Sequence, residues 1–462
     1  MTRSGVTTAA AIMTVVLACI GSLPGVASAT VPGSQLWAKN YGGVVSYGED
    51  NASALAVSPG GSRVFVTGES TGPTSYYDYA TVAYAASTGA KLWTKRYNCR
   101  ADGWWDAAEA LGVSPGGSTV FVTGISAGAT SNDVATVAYA ASTGTKLWAK
   151  RYNGPGNGDD YASSLRVSPG GSKVFVGATS TGTKTLLDYT TVAYDASTGA
   201  KLWLRRYDGP GTFYDRSGAL GVSPDGSSVF VTGQSGSETN SDYATVAYDA
   251  HNGKTLWVRR YNGPGDHADA GTALAVSPDS SVVYVTGQSP GSTSSYDYAT
   301  LAYDASTGTR LWGKRYNDPH DGGDGASALG LSPDGSEVFV TGGSRGSTSQ
   351  DYVTVAYDAS TGTRLWTSRY NSPADLDEGA SSLGVSIDGT NVFVTGSDFV
   401  TVAYDAVTGA KLWVRHYYKP DEEDAYASAL GVSSRGSKLF VTGRGPGKRS
   451  LRDYVTVAYR AA

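Results

Sequence analysis

Carboxylates are the side chains best placed to do chemistry in this sequence, and they fall into two series at fixed register. Asp50, Asp106, Asp160, Asp215, Asp269, Asp324 and Glu378 each stand five residues before a leucine, with Ala425 breaking the series. Asp78, Asp133, Asp188, Asp242, Asp297, Asp351, Asp398 and Asp453 each lie three residues before a threonine, without exception. Two neighbouring carboxylates can serve as acid and base in a hydrolase or lyase, and a ring of them can hold Ca2+, which takes roughly six to eight oxygens. Recurrence in every unit favours another role, because a catalytic site is local. An aspartate that opens a loop accepts backbone N–H bonds from it. Arg96, Arg151, Arg206, Arg260, Arg315 and Arg369, each three residues after a tryptophan, are the expected partners of such groups. No catalytic residue, resident metal or cofactor is assigned on this reading, and a structural Ca2+ ion is the alternative.

The remaining chemistry is sparse. His251, His267, His320 and His416 fall in unrelated turns and loops without metal-ligand spacing. No nucleophile elbow, phosphate loop or dinucleotide fingerprint is expected. Aromatics offer more. Trp104 and Trp105 lie in the loop 98–106 beside Cys99, outside the repeated pattern, and Tyr47, Phe213 and Tyr214 sit in equivalent loops. Exposed rings stack on sugars or anchor a peptide, so these five are the candidate ligand-binding residues. Their competing role is to cap the mouth of a channel.

The elements that position these residues are set by a repeat. A Leu-Trp pair returns with Trp37, Trp93, Trp148, Trp203, Trp257, Trp312, Trp366 and Trp413, at spacings of 54 to 56 residues that shorten to 47 at the end. Three further signatures keep step with it: Val-Phe-Val-Thr-Gly at 64–68, Thr-Val-Ala-Tyr at 81–84, and a segment centred on Leu55. Each is short, rich in β-branched and aromatic residues, and bounded by turn residues, so each reads as a strand. Ser-Pro-Asp-Gly-Ser (223–227) and Asp-Ala-Ser-Thr-Gly (195–199) are tight turns. No segment shows helical periodicity.

Eight four-stranded antiparallel units joined by short turns bury both faces of every sheet only when set radially. The expected fold is therefore an all-β, eight-bladed propeller, one domain over residues 30–462. The leading Leu-Trp strand completes the three trailing strands as the eighth blade. Strand alternation puts the near-constant turns on one face and the divergent loops on the other, and the divergent face is the binding candidate. The seventh unit has lost about eight residues between Gly396 and Asp398 relative to its siblings.

The segment Ala-Tyr-Asp-Ala-Ser-Thr-Gly-Ala-Lys-Leu-Trp at 193–203 resembles the tryptophan-docking motif of the quinoprotein (PQQ-repeat) propellers, and the Val-Thr-Gly and Asp-Tyr-x-Thr-Val elements are similar to bacterial β-propeller repeat proteins. Ala85 and Ala140 replace the motif's Asp in the first two copies, and Asn252 replaces Thr in the fourth. The resemblance implies eight blades with each Trp packed between neighbours. It does not extend to cofactor chemistry, because those enzymes carry an adjacent Cys-Cys pair, and beyond residue 29 Cys99 is the only cysteine here.

Residues 1–29 read as a secretory signal: Arg3, an apolar run over 8–20, and the Ala-Ser-Ala site at 27–29. A lipid anchor at Cys19 is the alternative. The formal net charge is −5, with no basic tract, which disfavours nucleic acid. The expected protein is exported, lacks a transmembrane segment, is a monomer, and binds a protein, peptide or glycan. A carboxylate-based hydrolase or lyase and a structural cell-surface component are the alternatives.

Overall fold

Thirty-two strands and no helix make up the described part of the chain, and they form eight four-stranded antiparallel sheets. The computed structural model describes residues 31–461 except 75, 100–104, 211–213, 237–239, 266, 293–294, 374, 419–424 and 448–449. The expected leader with Cys19, and the candidates Trp104 and Phe213, lie outside the described residues.

Blade 1 shows the pattern: Asp50–Val57, Arg63–Thr71, Tyr77–Ala85 and Lys91–Tyr97, paired in that order. First strands of adjacent blades pack on one another and line the axis. Second and third strands are buried on both faces, as Val64, Phe65, Val66, Val82 and Ala83 show at zero exposure. That two-sided burial is why these strands read as continuous apolar runs.

The eighth blade is split as the repeat requires. Gln35–Tyr41 pairs antiparallel with Arg452–Arg460, from Gln35 opposite Tyr459 to Tyr41 opposite Tyr454, and completes the sheet of Tyr426–Val432 and Lys438–Pro446.

The eight outer-strand tryptophans join each blade to the next. Trp93 packs against Phe65 of its own blade at 5.8 Å and Tyr139 of the next at 6.3 Å. Its indole N–H donates to the carbonyl of Ala141 at 3.0 Å. The indole lies on Gly144 of the neighbouring turn, whose φ of +69° suits a residue without a side chain. A Cβ there would stand 2.8 Å from the ring. The same stacking places Trp413 on Gly33, so the seventh blade docks on a turn supplied by the chain's start. Fully buried tyrosines add a second tie: the Tyr79, Tyr189, Tyr243, Tyr298 and Tyr454 hydroxyls each donate to a carbonyl of the next blade.

Candidate functional site

Both carboxylate series lie at the divergent-loop face and act in the scaffold. Members of the first series open each first strand and accept a backbone N–H from the preceding loop. Asp50 takes Gly43 at 2.6 Å, Asp160 takes Gly154 at 2.6 Å, Asp269 takes Gly263 at 2.8 Å and Glu378 takes Ser372 at 3.1 Å. Burial pushes their pKa values up against these hydrogen bonds, and Glu378 reaches about 7. Six of the second series pair with the arginines. Arg96 meets Asp78 at 2.8 Å, Arg206 meets Asp188 at 2.6 Å and Arg315 meets Asp297 at 2.6 Å. Each of these arginines also donates to a buried serine, as Arg96 does to Ser70 at 2.6 Å.

Those serines bear on the expectation of no nucleophile elbow. Ser70, Ser126, Ser289 and Ser344, each of which takes an arginine N–H, stand in Gly-x-Ser-x-Gly strings at 68–72, 124–128, 287–291 and 342–346, and Ser114 stands in a fifth at 112–116. The spelling is present, but four of the strings follow extended second strands and the fifth runs from a first strand into a tight turn, whereas an elbow needs a sharp strand-to-helix turn. Ser70, Ser126, Ser289 and Ser344 are fully buried and take an arginine N–H instead of a histidine base.

Among the described residues, one trio of carboxylates comes within metal-holding reach: Asp188, Asp208 and Asp215, with ligand atoms inside 4.8 Å of one another. Asp208 replaces the asparagine found at 98, 153, 262, 317 and 371. Arg206 already occupies one oxygen of Asp188, so the trio is partly neutralised from within the fold.

The candidate aromatics divide between two places. Tyr214 is half-buried at the start of a first strand, stacked under the Arg216 guanidinium at 4.9 Å, in a groove with Tyr161 and Leu186. Tyr47 stands in another groove, of about 550 Å3, bounded by Val45, Glu49, Pro73, Tyr76, Tyr77 and Leu451. Trp105 adjoins that groove through Tyr77, with ring centroids 6.2 Å apart. Cys99 is half-buried, its thiol donating to the Ala127 carbonyl at 2.8 Å.

Tyr47 has an unusual backbone. Its φ is +63°, and its side chain is 80% exposed. The position lies three residues before the acid that opens the first strand. The equivalent residues Asn157, Asp321 and Asp375 also adopt φ near +50°. Asn and Asp tolerate that region because their short side chains bond locally; an aromatic does not. Tyr76 is 72% exposed, Leu451 59% and Trp105 49%, so apolar surface collects beside Tyr47.

Sequence reasoning missed the polar part of this site. The Trp105 indole N–H donates to Glu69 at 3.0 Å, Asn51 donates to the other Glu69 oxygen at 2.8 Å, and the Tyr77 hydroxyl donates to Glu49 at 2.8 Å. Glu109, on the adjoining first strand of blade 2, is pushed up to about 7 by burial and by the charge of Glu69. The signal was available. At the register of Glu69 the sibling strands hold Ile125, Thr179, Gln234, Gln288, Gly343 and Arg444, and at the register of Glu109 they hold Ser53, Ser163, Gly218, Thr272, Ser327, Ser381 and Ser428.

No curated protein matches the sequence. Among solved structures, the crystal structure of Sqt1 from Chaetomium thermophilum superposes with a TM-score of 0.63 at 15% identity, covering 93% of this chain and 98% of that one. Sqt1 bound to the N-terminus of the ribosomal protein L10 gives 0.62 at 16% identity, over 89% and 97%. At such identities the likeness is one of fold. A family model described as outer membrane protein assembly factor BamB matches residues 25–294 and 244–445. With its tryptophan-docked blades and this match over most of its length, the chain belongs to the PQQ-repeat propeller family of outer membrane protein assembly factor BamB.

Proposed function

We propose that this chain is an exported, non-catalytic propeller that holds an extended segment of a protein partner in the groove beside Tyr47 and Tyr77. The observation that carries the reading is Tyr47, an exposed ring kept on a backbone conformation that Asn157, Asp321 and Asp375 adopt at the equivalent position. Strain of this kind collects at functional sites. The neighbouring groove, lined by Tyr47, Tyr76 and Tyr77 with Glu49 at its wall, has the size and chemistry of a peptide site. The Sqt1 structure with the L10 N-terminus is a precedent for the same fold bound to a segment of a protein. Export rests on residues 1–29, with the lipid anchor at Cys19 as its variant. The test is panning of the intact mature protein against a random decapeptide library, with a glycan array alongside. Enrichment that disappears in Tyr47→Asn and Tyr76→Ser supports the reading; peptide enrichment unaffected by both variants, or no peptide binding at all, overturns it.

Glu109 beside Glu69 supports a second reading, since a carboxyl held near 7 among other carboxylates suits general acid catalysis. Turnover of aryl glycosides that Glu109→Gln abolishes would establish it in place of the first.

A further inference from the structure

Hydrogen-bond accounting at the boundary of blades 1 and 2 narrows what the bound segment must carry. Most polar donors of the aromatic wall are already committed: the Trp105 N–H and one N–H of the Asn51 amide to Glu69, the Tyr77 O–H to Glu49. What remains for a ligand is the half-exposed face of Trp105 and the unused lone pairs of carboxylates. Glu69 on the second strand of blade 1 and Glu109 on the first strand of blade 2 stand on elements that pack against each other. With Glu49, they gather three carboxyl groups around two rings. Among the described residues Arg452 is the cation whose charge bears on Tyr77, and its backbone bridges to that of Glu49. A site offering acceptors and π faces suits a group that brings only donors and positive charge. A neutral sugar brings acceptors as well, and among the described residues of this wall the second Asn51 N–H is left to meet them.

We propose that the notch formed by Trp105, Tyr77, Glu69 and Glu109 is a subsite for a cationic side chain, a lysine ammonium or arginine guanidinium carried by the partner segment. The proposal rests on the groove being the partner site and adds the ligand's chemistry to it. The cation lies against the Trp105 face while Glu69 and Glu109 accept its N–H groups. Neutral or acidic residues at that point of the segment are disfavoured by the desolvation of carboxylates left without a donor.

The experiment uses the intact mature protein labelled with 5-fluorotryptophan, the Trp105 resonance being assigned by its absence in Trp105→Phe. The probes are acetyl-arginine amide, acetyl-glutamate amide and triacetylchitotriose. The Trp105 signal is expected to move with the arginine probe alone. In parallel, the affinity of an arginine-bearing decapeptide from the library is expected to fall about tenfold in Glu69→Gln/Glu109→Gln. It should also weaken in the unmodified protein between about 50 and about 500 mM salt, a readout that does not depend on the variant folding. A Trp105 signal indifferent to arginine, a shift with chitotriose, or salt-independent binding overturns the proposal. Decapeptides that bind without basic preference defeat the cationic subsite and leave the groove as partner site; absence of any peptide binding defeats both.

Discussion

Replacing Tyr47 by asparagine separates a functional ring from a structural one. At φ +63° an L-residue without a local side-chain bond pays about 1–2 kcal/mol relative to the right-handed region. Asn157 occupies the same place at φ +52°, so asparagine relieves most of that strain. The loss on the other side is small. With 80% of the residue exposed, about a fifth of an aromatic surface, roughly 40 Å2, is covered, which is about 1 kcal/mol at 25 cal/mol/Å2. The two terms nearly cancel. Tyr47→Asn is therefore expected to shift unfolding free energy by less than about 1 kcal/mol, or a melting temperature by about 1–2 °C in a chain this long, while peptide affinity falls about tenfold. Differential scanning calorimetry gives the first quantity and fluorescence polarisation with a library-derived decapeptide the second. A melting temperature lower by more than about 4 °C would mean that the ring caps the loop. Unchanged affinity would mean that the strain has no bearing on binding.

Three further outcomes follow from the geometry. Gly33→Ala combines a φ of +73° with a Cβ 2.8 Å from the Trp413 ring, so it should destabilise by about 2–4 kcal/mol and expose the chain ends to proteolysis. Gly60→Ala, whose Cβ would meet nothing within 4 Å, is the silent control. Stability should be greatest at about pH 4–5 in urea titrations: Glu378 and the buried aspartates have raised folded pKa values, so stability declines as pH rises toward 7, whereas the turn residues Asp195, Asp279 and Asp334, held at about 2, lose their contribution as pH falls through that value. Greater stability at pH 8 than at pH 5 would contradict this sign. Adding about 5 mM Ca2+ should leave the melting temperature unchanged, because Arg206 already occupies Asp188; a rise lost in Asp208→Asn would place an ion on the carboxylate trio.

The repeat made the fold legible, because a residue that must do the same work in eight blades is spelled eight times. Trp93 and Gly144 recur together since an indole of one blade lies on the backbone of the next. The arginine–aspartate pairs were readable for the same reason. The candidate site was only half legible, because its residues are departures from that spelling. Trp105 and Tyr47 stood out as aromatics in polar loops, whereas Glu69 and Glu109 hid among acids that recur. Their meaning depends on which strands the radial packing brings together, and no local pattern encodes that. Tyr214 and Tyr47 share a residue type and equivalent loops, yet the radial arrangement sets them in separate grooves.

Of the described strands, Gln35–Tyr41 emerges first during synthesis and must wait for Arg452–Arg460, which emerges last, before its edge is covered. Until then the nascent chain offers an unpaired ribbon at one end and a three-stranded acceptor at the other. Two chains crowded together can exchange these ribbons, each finishing the other's blade with the register it would use on itself. Concentrated refolding should therefore yield interlocked dimers, and rapid dilution should favour rings closed by their own strand.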